Sequence, residues 1–410
     1  MMHTRARPVC RFLLGGIVAL GLAHMLSRGA AGDLAVVQAQ TADGAVPAFE
    51  VDTSMSKPLP NSWMLGSVTA LAVDSRDHVW MLQNPAGGWP VGDPTGPVTG
   101  IFEHPPSAKE IEEAGKKPAP PVIEFDAEGN VVQAWGGPGE GYSWMETKAT
   151  ARFPASTPAE HGLFVDHQDN VWVTGNGHVA LKFSRSGKFL LQIGELWETK
   201  GSSDTKLLGG PTSLTVDPKT NEVFIADGYL NHRVIVFDAV TGAYKRHWGA
   251  YGKPAEDARP VAFDPQGTPP QQFYPVHCVR IAKDGLVYVC DRQRNRIQVF
   301  KTDGTFVTEG FVAKDTPTGG PPYGSVNDVA FSADPEQRYL YVGDGSNAKI
   351  WVLRRSDLQV LGSVPSLVNH SLAVDSKGNL YTVQGRLTNR QMSPARFVIK
   401  KSAASTASNR

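Results

Sequence analysis

The chain has 410 residues, 41% of them hydrophobic, with 40 basic and 40 acidic residues and no formal net charge. That composition is enough for a large core. The balanced charge offers no basic field, so nucleic acid is not an expected partner.

Residues 1–39 read as a signal peptide and leader. Arg5, Arg7 and Arg11 precede an apolar run from Phe12 to Leu26, which is short for a membrane span. Small residues follow, with cleavage expected near Ala31 or Ala39. Such a leader implies a secreted or periplasmic protein with no stable membrane anchor after cleavage; an uncleaved anchor is the alternative. Cys10 lies before the apolar run, which is not the place of a lipoprotein cysteine. Residues 40–61 read as a linker and a ring-closing strand, AFEVDTSM from Ala48.

Residues 62–400 carry a six-fold repeat. Its core is an apolar pair bracketing a variable residue, then Asp, a turn and a second apolar run. It reads LAVDSRDHVW from Leu71, LFVDHQDNVW from Leu163, LTVDPKTNEVFIADG from Leu214 and VRIAKDGLVYVCDR from Val279. It returns as VAFSADPEQRYLYVGDG from Val329 and LAVDSKGNLYTVQG from Leu372. A second hairpin follows each core, as in VIEFDAEGNVVQAWG from Val122, ALKFSRSGKFLLQIG from Ala180 and RIQVFKTDGTFVTEG from Arg296. Four short antiparallel strands per repeat, joined by Gly, Asp and Asn turns, predict an all-β, six-bladed β-propeller. The last repeat stops after RFVIK from Arg396, and the Ala48 segment supplies its fourth strand. Residues 401–410 read as a disordered tail.

Pro/Gly-rich insertions run from Asn84 to Pro121, Gly137 to Pro158, Trp197 to Gly210 and Gly249 to Pro275; IEEAGKK from Ile111 is a short helix or a charged loop. Strand alternation brings the insertions, the second-to-third loops and the starts of the innermost strands to one mouth of the ring. Loops gathered on one face of a rigid scaffold are where function sits. Trp89, Trp135, Trp144 and Trp197, in or beside the insertions, either wall a substrate site or fill space between blades.

Two residues before each core stand Thr69, His161, Thr212, His277, Asn327 and His370. With 11 histidines in 410 residues, six random positions would hold fewer than one. Three in strict alternation point to a three-fold site that suits a metal, three imidazoles with an open position being a catalytic Zn²⁺ arrangement. The competing reading is three channel histidines bonded to water or backbone. Thr69, Thr212 and Asn327 orient the histidines, contact substrate or pack the channel. The second-to-third loops bring Tyr229 in ADGYLNHR and Arg292 in CDRQRNR to the same mouth. A tyrosine can take a proton near a metal and an arginine can clamp a carboxylate; a turn aromatic and a surface charge are the plainer alternatives. Asp227, Asp291 and Asp344 share a register and read as turn formers. Cys278 and Cys290 flank the Asp284–Gly285 turn symmetrically, which suits either a disulfide or two packed thiols. Asn369-His370-Ser371 spells a glycosylation sequon, but its place in the ring argues against use.

DGYLNHRVIVF, DRQRNRIQVF and DGSNAKIWVL resemble NHL repeats, a resemblance that extends over about residues 62–400. More narrowly, the chain resembles the peptidyl-α-hydroxyglycine α-amidating lyases, the lyase module of peptidylglycine amidating enzymes. The resemblance implies a six-bladed propeller with a channel Zn²⁺ on His161 in EHGLFVD, His277 in PVHCVRI and His370 in NHSLAVD. It places the catalytic tyrosine on Tyr229 and an active-site arginine on Arg292. The implied reaction cleaves the C–N bond of a peptidyl- or N-acyl-α-hydroxyglycine to an amide and glyoxylate. Zn²⁺ binds the substrate oxygen, Tyr229 takes a proton and Arg292 holds the carboxylate. The resemblance also implies a structural Ca²⁺ on the backbone carbonyls of Leu71 and Leu163. The family's carboxylate ligand to that ion falls on Ser371, a second arginine falls near Asn84, and a methionine falls on Val368. These departures bear on Ca²⁺ and on the natural substrate. Nothing like a partner hydroxylase domain precedes the propeller, only the leader and linker. Two other readings stand beside this one. A non-catalytic NHL module binding protein or carbohydrate needs no stoichiometric Zn²⁺. A lactonase-type propeller hydrolase would hold a hard cation on carboxylates and Asn rather than on His.

Overall fold

The computed structural model describes residues 40–41, 44–52, 57–85, 108–146, 159–258, 260–318, 323–366, 368–385 and 393–399. The leader at 1–39, Trp89, parts of the two insertions flanking the first repeat's outer hairpin and the 401–410 tail lie outside them. No helix among the described residues is long and apolar enough to cross a membrane.

The repeat core folds as a hairpin because its Asp closes the turn. Asp166 Oδ1 accepts the backbone N–H of Gln168 and Asn170, each at 2.9 Å, while Oδ2 accepts Trp172 Nε1 at 3.0 Å. Asp74 does the same for Arg76, His78 and Trp80. One carboxylate thus satisfies the turn amides and pins a fully buried indole on the returning strand.

Among the described residues six four-stranded antiparallel sheets result. Sheet 1 is Ser67–Val73, Val79–Asn84, Val122–Phe125 and Val131–Trp135. Sheet 2 is Glu160–Val165, Val171–Gly175, Ala180–Phe183 and Phe189–Ile193. Sheet 3 begins at Pro211–Asp217, sheet 4 at Val276–Ile281, sheet 5 at Asp328–Phe331 and sheet 6 at Val368–Val374. The first strands pack side by side, and sheet 6 returns to sheet 1. These are the blades of an all-β propeller. The closing strand is the expected one: Phe49–Asp52 pairs antiparallel with Ser393–Ile399, aligning Phe49 with Ile399 and Asp52 with Arg396.

Several open alternatives resolve. Cys278 and Cys290 are register partners and form a disulfide, with Cα atoms 4.8 Å apart. Trp135 and Trp144 fill space between sheets 1 and 2, where Trp135 lies 5.2 Å from Phe183 and Tyr142 stacks on Phe189 at 4.9 Å. Trp197 meets His178 edge-on at 5.6 Å. Ala108–Glu113 is a short helix. The aspartates at the ends of the second strands are structural. Asp227 accepts Gly209 N–H and Arg233 Nε, Asp291 accepts Tyr274 N–H and Arg296 Nε, and all four side chains are fully buried. Each carboxylate ties the blade-joining loop to the third strand. Asn369 is fully buried, so the sequon at 369–371 offers no accessible amide.

Candidate metal centre

Five of the six ring positions share a backbone device. The innermost hairpin slips register at Val68/Ala70, Glu160/Gly162, Pro211/Ser213, Val276/Cys278 and Asn369/Ser371. Each slip skips one residue: Thr69, His161, Thr212, His277 and His370. A bulge leaves its extra residue outside the ladder and re-aims its side chain. Here the bulges turn these side chains toward the channel axis, where His161, His277, Thr212, Asn327 and His370 line one chamber.

His161, His277 and His370 come together there, each offering a nitrogen within 4.8 Å of the others. Their ring centroids lie 4.6–5.1 Å apart. The orientation comes from the intervening blades. His161 Nδ1 lies 2.7 Å from Thr212 O, His277 Nδ1 2.6 Å from Asn327 O and His370 Nδ1 2.7 Å from Thr69 O. A carbonyl can only accept, so each Nδ1 carries the proton and each Nε2 presents a lone pair inward. Carbonyl anchoring of the non-ligating nitrogen is the arrangement metal-binding histidines use. Gly162 permits it at His161, because a Cβ there would collide with Thr212 O.

Burial keeps all three imidazoles well below their ordinary value, His370 at about 4, and the Arg292 charge adds to the effect on each. The ring is therefore neutral and ligand-competent at and below neutral pH. His277 Nε2 is buried with no hydrogen-bond partner among the described residues. An orphaned inward lone pair among three neutral imidazoles is a donor set that suits a borderline-soft cation such as Zn²⁺. Three imidazoles of ordinary value would each be about nine-tenths protonated at pH 5.5, weakening a metal by about 10³-fold. The depressed values predict a loss below about tenfold between pH 7.5 and 5.5, read by equilibrium dialysis.

Tyr229 and Arg292 join the ring. The Tyr229 hydroxyl lies 2.7 Å from His161 Nε2 and donates to it, since that nitrogen is the unprotonated one. The Arg292 guanidinium, in the short helical turn Arg292–Arg294, sits between the rings of Tyr229 and Tyr323 at 5.8 and 5.5 Å. Both side chains are buried, so Arg292 is not a surface charge. At the other departures, Asn84 Nδ2 donates to Glu160 Oε2 at 2.7 Å and Trp144 Nε1 to Oε1 at 2.8 Å. Burial raises that carboxyl to about 7. Glu160 and Tyr323 were not anticipated. Glu160 precedes His161 without any motif of its own, and Tyr323 stands in a Pro/Gly run that carries no strand signal.

At the level assigned to Ca²⁺, a hydroxyl stands where the family has its carboxylate. Ser371 Oγ accepts Leu71 N–H at 3.3 Å. Beside it Arg280 donates to Ser213 Oγ at 2.6 Å, to Val279 O at 3.1 Å, to Leu214 O at 3.3 Å and to Asp328 Oδ2 at 2.8 Å. Asp74, His78 and Glu124 form a second cluster, but Arg185 bonds both carboxylates there and is its cation.

The NHL repeat family matches residues 273–300. Three relatives carry related names. The chain is 34% identical over 153 residues to peptidyl-glycine alpha-amidating monooxygenase A of Xenopus laevis, covering 36% of this chain and 15% of that protein. It is 26% identical over 234 residues to a protein of Caenorhabditis elegans named a probable peptidyl-alpha-hydroxyglycine alpha-amidating lyase, covering 55% and 60%. It is 44% identical over 81 residues to peptidyl-alpha-hydroxyglycine alpha-amidating lyase 2 of Drosophila melanogaster, covering 19% of each. The matched region thus spans less than two thirds of each relative. The chain is an all-β propeller with a match to the NHL repeat at residues 273–300. Within that class it resembles the peptidyl-α-hydroxyglycine α-amidating lyases.

Proposed function

We propose that this chain is a secreted or periplasmic, six-bladed, zinc-dependent carbon–nitrogen lyase. It acts on a peptidyl- or N-acyl-α-hydroxyglycine at the channel mouth and releases an amide and glyoxylate. The observation that carries this reading is the convergence of three imidazole nitrogens within 4.8 Å, with the Tyr229 hydroxyl 2.7 Å from one of them.

His161, His277 and His370 would hold Zn²⁺, which supplies a Lewis acid with an open position in a buried site. With His161 Nε2 given to the metal, the Tyr229 hydroxyl would turn from that nitrogen to the substrate. Tyr229 Oη accepts the proton of the substrate's α-hydroxyl while passing its own proton to the departing amide nitrogen, so the carbon–oxygen bond becomes a carbonyl with no net change at the tyrosine. The C–N bond breaks, the amide nitrogen takes that proton, and glyoxylate leaves. Arg292 supplies the positive charge that holds the substrate carboxylate, at a depth where a charge-assisted bond is strong.

The test is glyoxylate release from an N-acyl-α-hydroxyglycine by metal-loaded protein, with a chelated sample as control. No release would remove the lyase reading and leave an NHL propeller that binds protein, carbohydrate or another small molecule. The disulfide and the arginine-flanked apolar leader support an oxidising compartment. Mass spectrometry of the exported protein is expected to find an N-terminus between Ala30 and Thr41; an intact Met1 would contradict export by cleavage.

A further inference from the structure

We propose that Arg280 is a built-in cation standing at the channel level that the resemblance assigns to Ca²⁺, so that the histidine ring is the single metal station among the described residues of the channel. Arg280 occupies the variable slot of the repeat core, where the other copies place Ala72, Phe164, Thr215, Ala330 and Ala373. A charged residue in that slot must find partners in the channel, and it does.

Its guanidinium takes the carbonyls of Leu214 and Val279. These residues are the repeat counterparts of Leu71 and Leu163, whose carbonyls the Ca²⁺ assignment requires. The guanidinium also takes the Ser213 hydroxyl and Asp328. Ca²⁺ takes six to eight oxygens from carboxylates, carbonyls and waters, and its charge calls for at least one carboxylate left open to it. Among the described residues lining the chamber under the histidines, Asp328 is the one carboxylate. Its two oxygens already accept Arg280, Leu372 N–H at 3.0 Å and Val329 N–H at 2.9 Å. Where the family pattern has a carboxylate, Ser371 offers a hydroxyl that accepts Leu71 N–H. A divalent cation entering here would have to evict the guanidinium or sit against its charge.

Arg280 also lines a cavity of about 390 Å³ on the far side of the channel, walled by Leu71, Leu163, Val329 and Leu372. It therefore partitions the channel between the histidine chamber and that apolar cavity. The proposal does not rest on the lyase reading, since zinc and calcium are measured separately on the same sample.

The experiment is total-metal analysis and thermal melting of the full-length protein, equilibrated with millimolar Ca²⁺ and then with a Ca²⁺-selective chelator. Calcium is expected below a tenth of stoichiometry, with no melting shift beyond about 1 °C between the two conditions. About one calcium per chain, with a melting temperature that falls by several degrees on chelation, would overturn the proposal. Arg280→Ala releases Asp328 and the two carbonyls, and this variant is expected to melt lower than wild type but to gain roughly 5 °C from calcium. Arg280→Lys keeps the charge and should not respond to calcium, and Arg280→Ala with Asp328→Asn should lose the response. A folded Arg280→Ala protein indifferent to calcium would refute the idea that the guanidinium holds a cation's place. If that variant fails to fold, the wild-type calcium content decides.

Discussion

His277→Ala is expected to empty the histidine ring of metal while leaving the propeller folded. The side chain is nearly fully buried, yet it belongs to the channel and to none of the apolar clusters between the sheets. Its loss removes one donated bond to Asn327 O, at a cost of about 1–3 kcal/mol. For the metal the loss is one donor of three. Disturbing an outer partner of a metal ligand already costs about 10–100-fold in affinity, so deleting the ligand should cost more than about 10²-fold. Zinc per chain after dialysis should fall from near one to below a tenth, with an unchanged circular dichroism spectrum. Thr69→Ala is the informative control. Thr69 holds His370 through its backbone carbonyl, and its own hydroxyl reaches Leu82 O only at 3.4 Å. That variant should keep its zinc. Retention of zinc by His277→Ala, or its loss from Thr69→Ala, would mean that the metal binds elsewhere.

Tyr229→Phe should reduce turnover by about 10²-fold or more while preserving the fold, because only the proton-handling oxygen is removed. The structure adds a sharper expectation. Without metal, the hydroxyl satisfies His161 Nε2, so its removal leaves a buried acceptor unpaired and costs about 1–3 kcal/mol. With metal on that nitrogen the penalty disappears. Zinc should therefore raise the melting temperature of Tyr229→Phe more than that of wild type, and bind it at least as tightly. Arg292→Ala should act differently, lowering kcat/KM for a carboxylate-bearing substrate by about 10–100-fold, mainly through KM. Full glyoxylate release by Tyr229→Phe would assign the proton transfer to another group.

The blades were legible because each strand pair carries its own local signal. The Asp166 and Asp74 turns, the bracketing apolar residues and the glycine-marked hairpins need no long-range information. The histidine alternation was legible for a similar reason, since a repeat turns sequence register into angular position. What holds the histidines was not. Thr69, Thr212 and Asn327 contribute backbone carbonyls, which every residue possesses and no sequence advertises. The bulges that aim them are likewise invisible, since one extra residue in a hairpin leaves the pattern of apolar residues intact. Tyr323 reaches Arg292 from the segment joining sheets 4 and 5, a run that carries no strand signal. Arg280 did leave a trace, as a charge in an apolar repeat slot, although its partners Ser213 and Asp328 come from sheets on either side.

The strand that completes sheet 6 lies near one end of the chain and its partner, Ser393–Ile399, near the other. During synthesis the first of these leaves the ribosome long before the second exists. The ring can be latched only after every strand between the two has been released, and until then sheet 6 has a bare edge and sheet 1 an unfinished neighbour. Such late, non-local pairing makes folding slow and exposes intermediates to aggregation. It also means that deleting Ser393–Ile399 would open the ring of sheets, and with it the site that His370 helps to form.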